Sequence, residues 1–126
     1  MKIPISRWVD IPDQRIKDLL CCAIEGGCGH WCGIKDYIIA SDADTSTVEY
    51  KHLDLPFIEG CGVLVHDTTD ATLSPVLIDC VSIESGLKDM AEDYPVHFDN
   101  FMKENEDAET GNVFMQCCVF GEVIYE

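Results

Sequence analysis

The stretch that decides the fold is residues 13–27, which read DQRIKDLLCCAIEGG. Its apolar side chains follow the i, i+3, i+4, i+7, i+8 spacing of one helix face: Ile16, Leu19, Leu20, Ala23 and Ile24. We predict an amphipathic helix here, with Asp10 or Asp13 as its N-cap and Pro12 in or near the first turn. Gly26 and Gly27 end it, because glycine adopts positive φ without a Cβ clash.

Downstream of this helix the hydrophobic period changes from helical to strand-like. Four short segments are rich in Val, Ile, Leu and Tyr, at residues 35–40, 48–53, 61–66 and 76–81. The segments between them carry the Asp, Thr, Ser and Pro residues typical of turns. We predict four strands of a mostly antiparallel sheet. Because short apolar runs also suit helices, a helical third quarter and a mainly α fold stay as the alternative.

The last third of the chain again predicts helices. One runs from a Ser82 cap to Tyr94 and ends at Pro95, and a short one covers residues 97–104. The last covers residues 108–120, between an Asp107 cap and Gly121. The predicted fold is therefore a single α+β domain over residues 1–126, in which a small, mostly antiparallel sheet of about four strands packs against three to four amphipathic helices. Exposed sheet edges are commonly covered by a second copy, which predicts a homodimer.

Size and hydropathy agree with one small globular domain. The chain has 126 residues, of which 47% are hydrophobic and 25% charged. Its longest apolar run, residues 19–24, is far short of the roughly 20 residues that span a bilayer. Residues 1–7 lack the apolar stretch of a secretory signal. We expect no membrane contact and a cytoplasmic location.

Charge is distributed very unevenly along the chain. Residues 1–40 contain five basic and five acidic side chains, whereas residues 41–126 contain three basic and nineteen acidic ones. The net charge of −16 therefore belongs entirely to the second part. Such a field repels nucleic acid, whose binding needs Lys and Arg, and it attracts a basic protein surface. An acidic surface that only keeps the protein soluble is the alternative.

The eight cysteines leave a metal site open but do not predict a disulfide framework. A reducing cytosol keeps thiols free, so most of them are expected to be small buried apolar side chains. Cys28, His30 and Cys32 form a C-x-H-x-C run that offers zinc two or three ligands. No second such run supplies a fourth ligand. We predict no cofactor, and zinc binding by this run stays open.

Candidate catalytic residues are few. Cys28 with His30, His66 with Asp67, and His52 with Asp54 are the nucleophile or acid–base pairs on offer. The sequence contains no phosphate-binding loop, no dinucleotide-binding glycine motif and no G-x-S-x-G. We predict that the protein is not an enzyme.

Three stretches of the chain resemble a family. They are residues 25–31 (EGGCGHW), Tyr94-Pro95, and residues 107–125 (DAETGNVFMQCCVFGEVIY). They are similar to a widespread family of short bacteriophage and prophage proteins that read EGG-x-x-YW near the front and DAxTAD-x-x-LQ-x-ALFGE-x-VYG at the end. Here His30 replaces Tyr, Gly111 and Asn112 replace Ala and Asp, and Glu126 replaces Gly. The resemblance implies a phage or mobile-element origin, and by analogy an inhibitor of host defence such as an anti-CRISPR protein or DNA mimic.

Two functional interpretations follow. In the first, the chain inhibits a host defence effector by occupying its basic nucleic-acid-binding surface. The contacting carboxylates would be Asp79, Glu84, Asp89, Glu92, Asp93, Asp99, Glu104, Glu106, Asp107 and Glu109. In the alternative, the chain binds a small ligand such as a nucleotide signal. The pocket wall would then be Gly26, Gly27, His30 and Trp31.

Overall fold

The computed structural model describes residues 1–4 and 8–125. It is an α+β structure, as predicted, with five α-helices and two small antiparallel sheets in the described residues. The strands are β1 (Lys2–Pro4), β2 (Trp8–Asp10), β3 (Cys32–Ile38), β4 (Gly62–Asp67) and β5 (Val76–Ile78). The helices are α1 (Asp13–Cys22), α2 (Lys51–Asp54), α3 (Cys80–Asp93), α4 (Pro95–Met102) and α5 (Ala108–Phe120). A π-helical segment (Ala23–Gly27) extends α1, and a 3-10 turn (Leu55–Phe57) follows α2.

The prediction of one four-stranded sheet is wrong. β1 pairs with β2 in a separate two-stranded sheet, while β3, β4 and β5 form a three-stranded sheet in that order. Neither β1 nor β2 was predicted, since a three-residue strand is too short to show an alternating pattern. On β4, Val63 and Val65 are buried on the same side as Ile78 of the paired strand β5. That face of the sheet covers the core.

The strand predicted at residues 48–53 is also wrong, because the chain forms α2 there. The Asp54 carboxylate accepts hydrogen bonds from the backbone N–H groups of Glu49 and Tyr50, both at 2.9 Å, and so fixes the start of this short helix. Lys17 of α1 donates to the same carboxylate at 2.9 Å. Partial burial alone would raise the pKa of Asp54, but these hydrogen bonds lower that pKa to about 2.

The observed helix starts agree with the predicted ones only in part. α5 begins at the predicted Asp107 cap and ends at Gly121, which has a φ of 78°. α3 begins earlier than predicted, since the N-cap is Asp79 and Ser82 is its reciprocal partner in a capping box. At α1, Pro12 occupies the N-cap position and no side chain caps the helix, so neither predicted aspartate has that role.

The predicted positive φ is absent from Gly26 and Gly27, and of the two, only at Gly27 does close packing require a glycine. Neither has positive φ; the glycines that do are Gly60 and Gly121. A Cβ on Gly27 would overlap the Ala108 carbonyl and lie 2.8 Å from the backbone nitrogen of Asn112, both on α5. Gly111 of α5 meets the backbone of Ala23 in the same way. The glycines let the π-helical segment and α5 pack backbone against backbone.

The core forms around α5, which is buried from Thr110 to Cys117. The largest fully buried side chains of the core include Trp31, Phe101 and Phe114. All eight cysteines are free thiols; three are buried, four are partly buried, and Cys80 is exposed. The expectation of buried, reduced cysteines is therefore confirmed only for Cys28, Cys61 and Cys117.

Candidate functional site

The ten carboxylates predicted to bind a partner lie on α3, α4, the segment joining α4 to α5, and the first turn of α5. Five of them have a role within the fold. Asp79 and Asp107 cap α3 and α5, Asp99 pairs with Lys103 at 2.8 Å, and Glu104 and Glu106 bind Arg15. The other five form no salt bridge or cap within the described residues. We call them the free carboxylates: Glu84, Asp89, Glu92, Asp93 and Glu109.

Arg15 and Glu106 form a clamp between α1 and the segment before α5. The guanidinium donates to both Glu106 oxygens, at 2.6 and 3.2 Å, and to the Phe101 carbonyl at 2.5 Å. It also lies 5.2 Å from the centre of the Phe101 ring and 3.3 Å from a Glu104 oxygen. The hydrogen bond to Glu106 raises the pKa of Arg15 further above its ordinary value. With its side chain only 7% exposed, Glu106 serves the fold rather than a partner.

The end of α3 concentrates the free carboxylates. Glu92 and Asp93 lie within the last turn, which has no basic residue, and Asp89 lies one residue before it, next to Lys88. Partial burial raises the pKa of Asp89, the negative charges of Asp93 and Glu92 raise it further, and Lys88 lowers it by a smaller amount. Helix C-termini carry partial negative charge, which disfavours carboxylates there. The charged form of Asp89 is therefore disfavoured in the fold, and no salt bridge or cap in the described residues involves any of the three carboxylates.

The turn of residues 26–31 contributes Cys28 and Trp31 to the core, while Gly26, Gly29 and His30 are exposed. Trp31 is fully buried, with ring centres 5.1 Å from Phe120 and 5.7 Å from Tyr125. Gly27 packs against α5, so among the four predicted ligand-binding residues only Gly26 and His30 are exposed. The small-ligand alternative consequently has the weaker support.

A buried polar network connects this turn to the end of the chain. The Trp31 indole N–H donates to Asn112 Oδ1 at 2.7 Å, and the Gln116 amide donates to the same oxygen at 3.1 Å. Gln116 also donates to the Tyr125 carbonyl and accepts from the backbone N–H groups of Ile124 and Tyr125, each at 2.8 Å. One side-chain amide thus pairs with the backbone of residues 124–125 as a neighbouring strand would.

The network reaches the sheet through Tyr125. Its hydroxyl donates to Asp67 Oδ2 at 2.5 Å, at the end of β4. Burial would raise the pKa of Asp67, but the hydrogen bonds from Tyr125 and Thr69 lower it. Residues 25–31 and 107–125, on which the predicted resemblance to phage proteins rests, therefore meet in space. Sequence reasoning found the motifs but not this contact, because no local pattern marks an amide that bonds a backbone segment.

The candidate acid–base and metal residues do not assemble into a centre. His52 lies 3.1 Å from Glu25, whereas Asp54 is occupied by Lys17 and backbone N–H groups. His30 is exposed, while Cys28 is buried. Among the residues that the structure describes, no three His, Cys, Asp or Glu side chains cluster as a metal ion would require.

Comparison with protein-family models, with curated proteins and with solved structures finds no match to this chain. The resemblance to phage proteins therefore stays a prediction. Within residues 1–4 and 8–125, no helix has the length and apolar character needed to cross a membrane.

Proposed function

We propose that this chain is a phage or mobile-element protein that inhibits a host defence effector of the CRISPR type, acting in the host cytoplasm. It would bind the effector's basic nucleic-acid-binding surface through the free carboxylates. The observation that carries the proposal is the group Asp89, Glu92 and Asp93 at the end of α3, where Lys88 is the neighbouring basic residue but forms no salt bridge with them among the described residues. Because burial and the like charges beside it disfavour the charged form of Asp89, and no described contact in the fold uses Glu92 or Asp93, a partner is the better explanation for the group.

The positions of these carboxylates suit the recognition of cations. They lie on α-helices, which hold charges at fixed spacing in the way that a nucleic-acid backbone holds phosphates. Glu92, Asp93 and Glu109 are exposed and can reach Lys and Arg side chains of a partner. The net charge of −16 adds long-range attraction that accelerates encounter with such a surface and opposes direct binding to nucleic acid.

The proposal is tested by DNA or RNA cleavage with a panel of purified, guide-loaded CRISPR effectors, one of each type. We expect the chain to inhibit at least one of them. Inhibition should weaken about tenfold or more as salt rises from low to physiological ionic strength, because exposed charges are then screened beyond about 8 Å. Inhibition of none, or inhibition that salt does not change, would contradict the proposal.

A pair of variants with equal net charge separates position from total charge. The site variant carries Glu92→Gln, Asp93→Asn and Glu109→Gln. The control variant carries Asp42→Asn, Glu49→Gln and Glu59→Gln, three exposed carboxylates outside the helices. We expect the site variant to lose inhibition by about tenfold or more and the control to keep it. Equal losses would show that only the total charge matters.

A further inference from the structure

Cys28 and Cys32 lie at the two ends of one closed turn between the π-helical segment and β3. The Cys28 carbonyl accepts hydrogen bonds from the backbone N–H groups of Trp31 and Cys32, at 3.0 and 2.9 Å. An i→i+4 bond of this kind folds the chain back by one helical turn and brings residues 28 and 32 together. Both residues line one cavity, and each thiol shifts the pKa of the other.

This arrangement distinguishes the pair from the other cysteines. Cys21 with Cys22 and Cys117 with Cys118 are adjacent residues within α-helices, where successive side chains point in different directions. Cys21 donates to Glu25 at 2.9 Å, and this raises the pKa of Cys21 to about 11. Burial raises the pKa of Cys117 to about 12. Both pairs are protonated and badly placed for a bridge.

The Cys28 and Cys32 thiols are also chemically unequal. The neighbouring Cys32 thiol lowers the pKa of Cys28, against the effect of burial. The Cys28 thiol, burial and the nearby Asp67 charge all raise the pKa of Cys32. Cys28 is thus the more acidic thiol of the pair and the one that ionises first, while Cys32 keeps its proton. A nucleophilic thiolate beside a protonated thiol is the arrangement that oxidation to a disulfide requires.

A cavity gives a small oxidant access to both residues. It has a volume of about 250 Å³ and is lined by Ile24, Cys28, Cys32, Gly33, Ile34 and Val65. That space holds several molecules of the size of water, which in the liquid occupies about 30 Å³. Hydrogen peroxide is close to this size, whereas a peptide disulfide is far larger.

We propose that Cys28 and Cys32 are a redox modification site that hydrogen peroxide converts to an intramolecular disulfide. The Cys28 thiolate attacks one peroxide oxygen, so that an S–O bond forms, the O–O bond breaks, and hydroxide leaves and is protonated to water. Cys32 then attacks the Cys28 sulfur, forming the S–S bond and breaking the S–O bond, and its proton leaves with the hydroxyl as a second water. Two thiols are oxidised and one peroxide is reduced to two waters. The bridge closes the turn that carries Trp31.

The test is peptide mapping of the whole wild-type protein after brief exposure to hydrogen peroxide. Free thiols are then alkylated, and the protein is digested with trypsin and a Glu-specific protease. Cleavage after Glu25 and Lys35 releases residues 26–35 (GGCGHWCGIK), which contain only Cys28 and Cys32. We expect this peptide to lose the mass of two hydrogen atoms, to escape alkylation, and to recover both thiols on reduction.

Two further measurements make the result specific. Residues 18–25, with Cys21 and Cys22, are released by the same digestion and should remain a dithiol under identical exposure. Cys32→Ser should stop the bridge and leave a sulfenic acid on Cys28, which dimedone traps, while Cys80→Ser should not affect bridging. The proposal is overturned if residues 26–35 keep two alkylated thiols while Cys80 is oxidised. Sulfinic acid on either cysteine of the wild type without a bridge would overturn it equally.

Discussion

Two polar regions of this molecule differ in what their side chains do for the fold. Around Trp31, Asn112 and Gln116 the buried polar groups have partners, and no buried side-chain polar atom in the described residues lacks one. At the end of α3, Asp89, Glu92 and Asp93 have neither a salt bridge nor a cap in the same part of the chain. The contacts of the first region stabilise the fold, whereas the second makes no such contacts and the fold disfavours the charged form of Asp89. Polar residues that the fold does not need are the better guide to function.

Loss of Trp31 should have the largest effect. Trp31→Ala removes a fully buried ring and its hydrogen bond to Asn112, so we expect the free energy of unfolding to fall by about 3–5 kcal/mol. Trp8, which is 64% exposed, provides the matched control, and Trp8→Ala should change stability by less than about 0.5 kcal/mol. Urea denaturation measures both. A Trp31→Ala protein of normal stability would remove the structural role of this region.

Loss of Gln116 should be next in size. Gln116→Ala leaves the backbone of Ile124 and Tyr125 without three hydrogen bonds, each worth about 0.5–1.5 kcal/mol. We expect a loss of about 2–3 kcal/mol and faster hydrogen exchange at both amides. Gln14→Ala, at an exposed glutamine of α1, is the control and should be nearly neutral. Unchanged exchange at residues 124 and 125 would show that Gln116 does not hold this segment.

The clamp at Arg15 predicts a smaller loss. Glu106→Gln keeps the shape of the side chain but removes the charge that pairs with the guanidinium, so we expect a loss of about 1–2 kcal/mol. Glu109→Gln, at one of the free carboxylates, should leave stability within about 0.5 kcal/mol of wild type. Thermal unfolding compares the two. If both variants behaved alike, the separation of structural from free carboxylates would fail.

At the end of α3 we expect a substitution to raise the stability of the protein rather than lower it. The folded state raises the pKa of Asp89 above its unfolded value, so its carboxylate destabilises the protein at neutral pH and this effect disappears as pH falls through that pKa. Asp89→Asn should therefore stabilise by about 0.3–1 kcal/mol at pH 7 and by nothing below about pH 4. Asp42→Asn serves as the exposed control. A loss of stability in Asp89→Asn at pH 7 would show that the carboxylate supports the fold.

Local patterns predicted the part of the fold that depends on neighbours in sequence. The apolar stripe of α1, the Asp107 cap and the Gly121 terminator of α5 are features of this kind. Residues 48–53 were misread as a strand because their apolar composition suits both structures, and the Asp54 contacts that favour a helix include Lys17, far away in sequence. The role of Gly27 was predicted wrongly because a glycine can be needed either for positive φ or for close packing. The close packing here is against α5, which is distant in sequence.

The candidate site, like the fold, could be predicted from the sequence only in part. All ten acidic residues could be identified from the sequence, since the charge of a side chain follows from its residue type. It could not separate Glu106 from Glu109, because the separation depends on Arg15, 91 residues before Glu106. It also missed the contacts of Gln116, which no periodicity marks.

The central claim is tested most directly by measuring stability and effector inhibition on the same samples of two variants. The first is the site variant, with Glu92→Gln, Asp93→Asn and Glu109→Gln. The second is the control variant, with Asp42→Asn, Glu49→Gln and Glu59→Gln. Both have the same net charge. The account predicts that the first keeps the stability of wild type within about 1 kcal/mol and inhibits about tenfold less, while the second inhibits normally. A first variant that loses more stability than this, or that inhibits as well as the second, would contradict it.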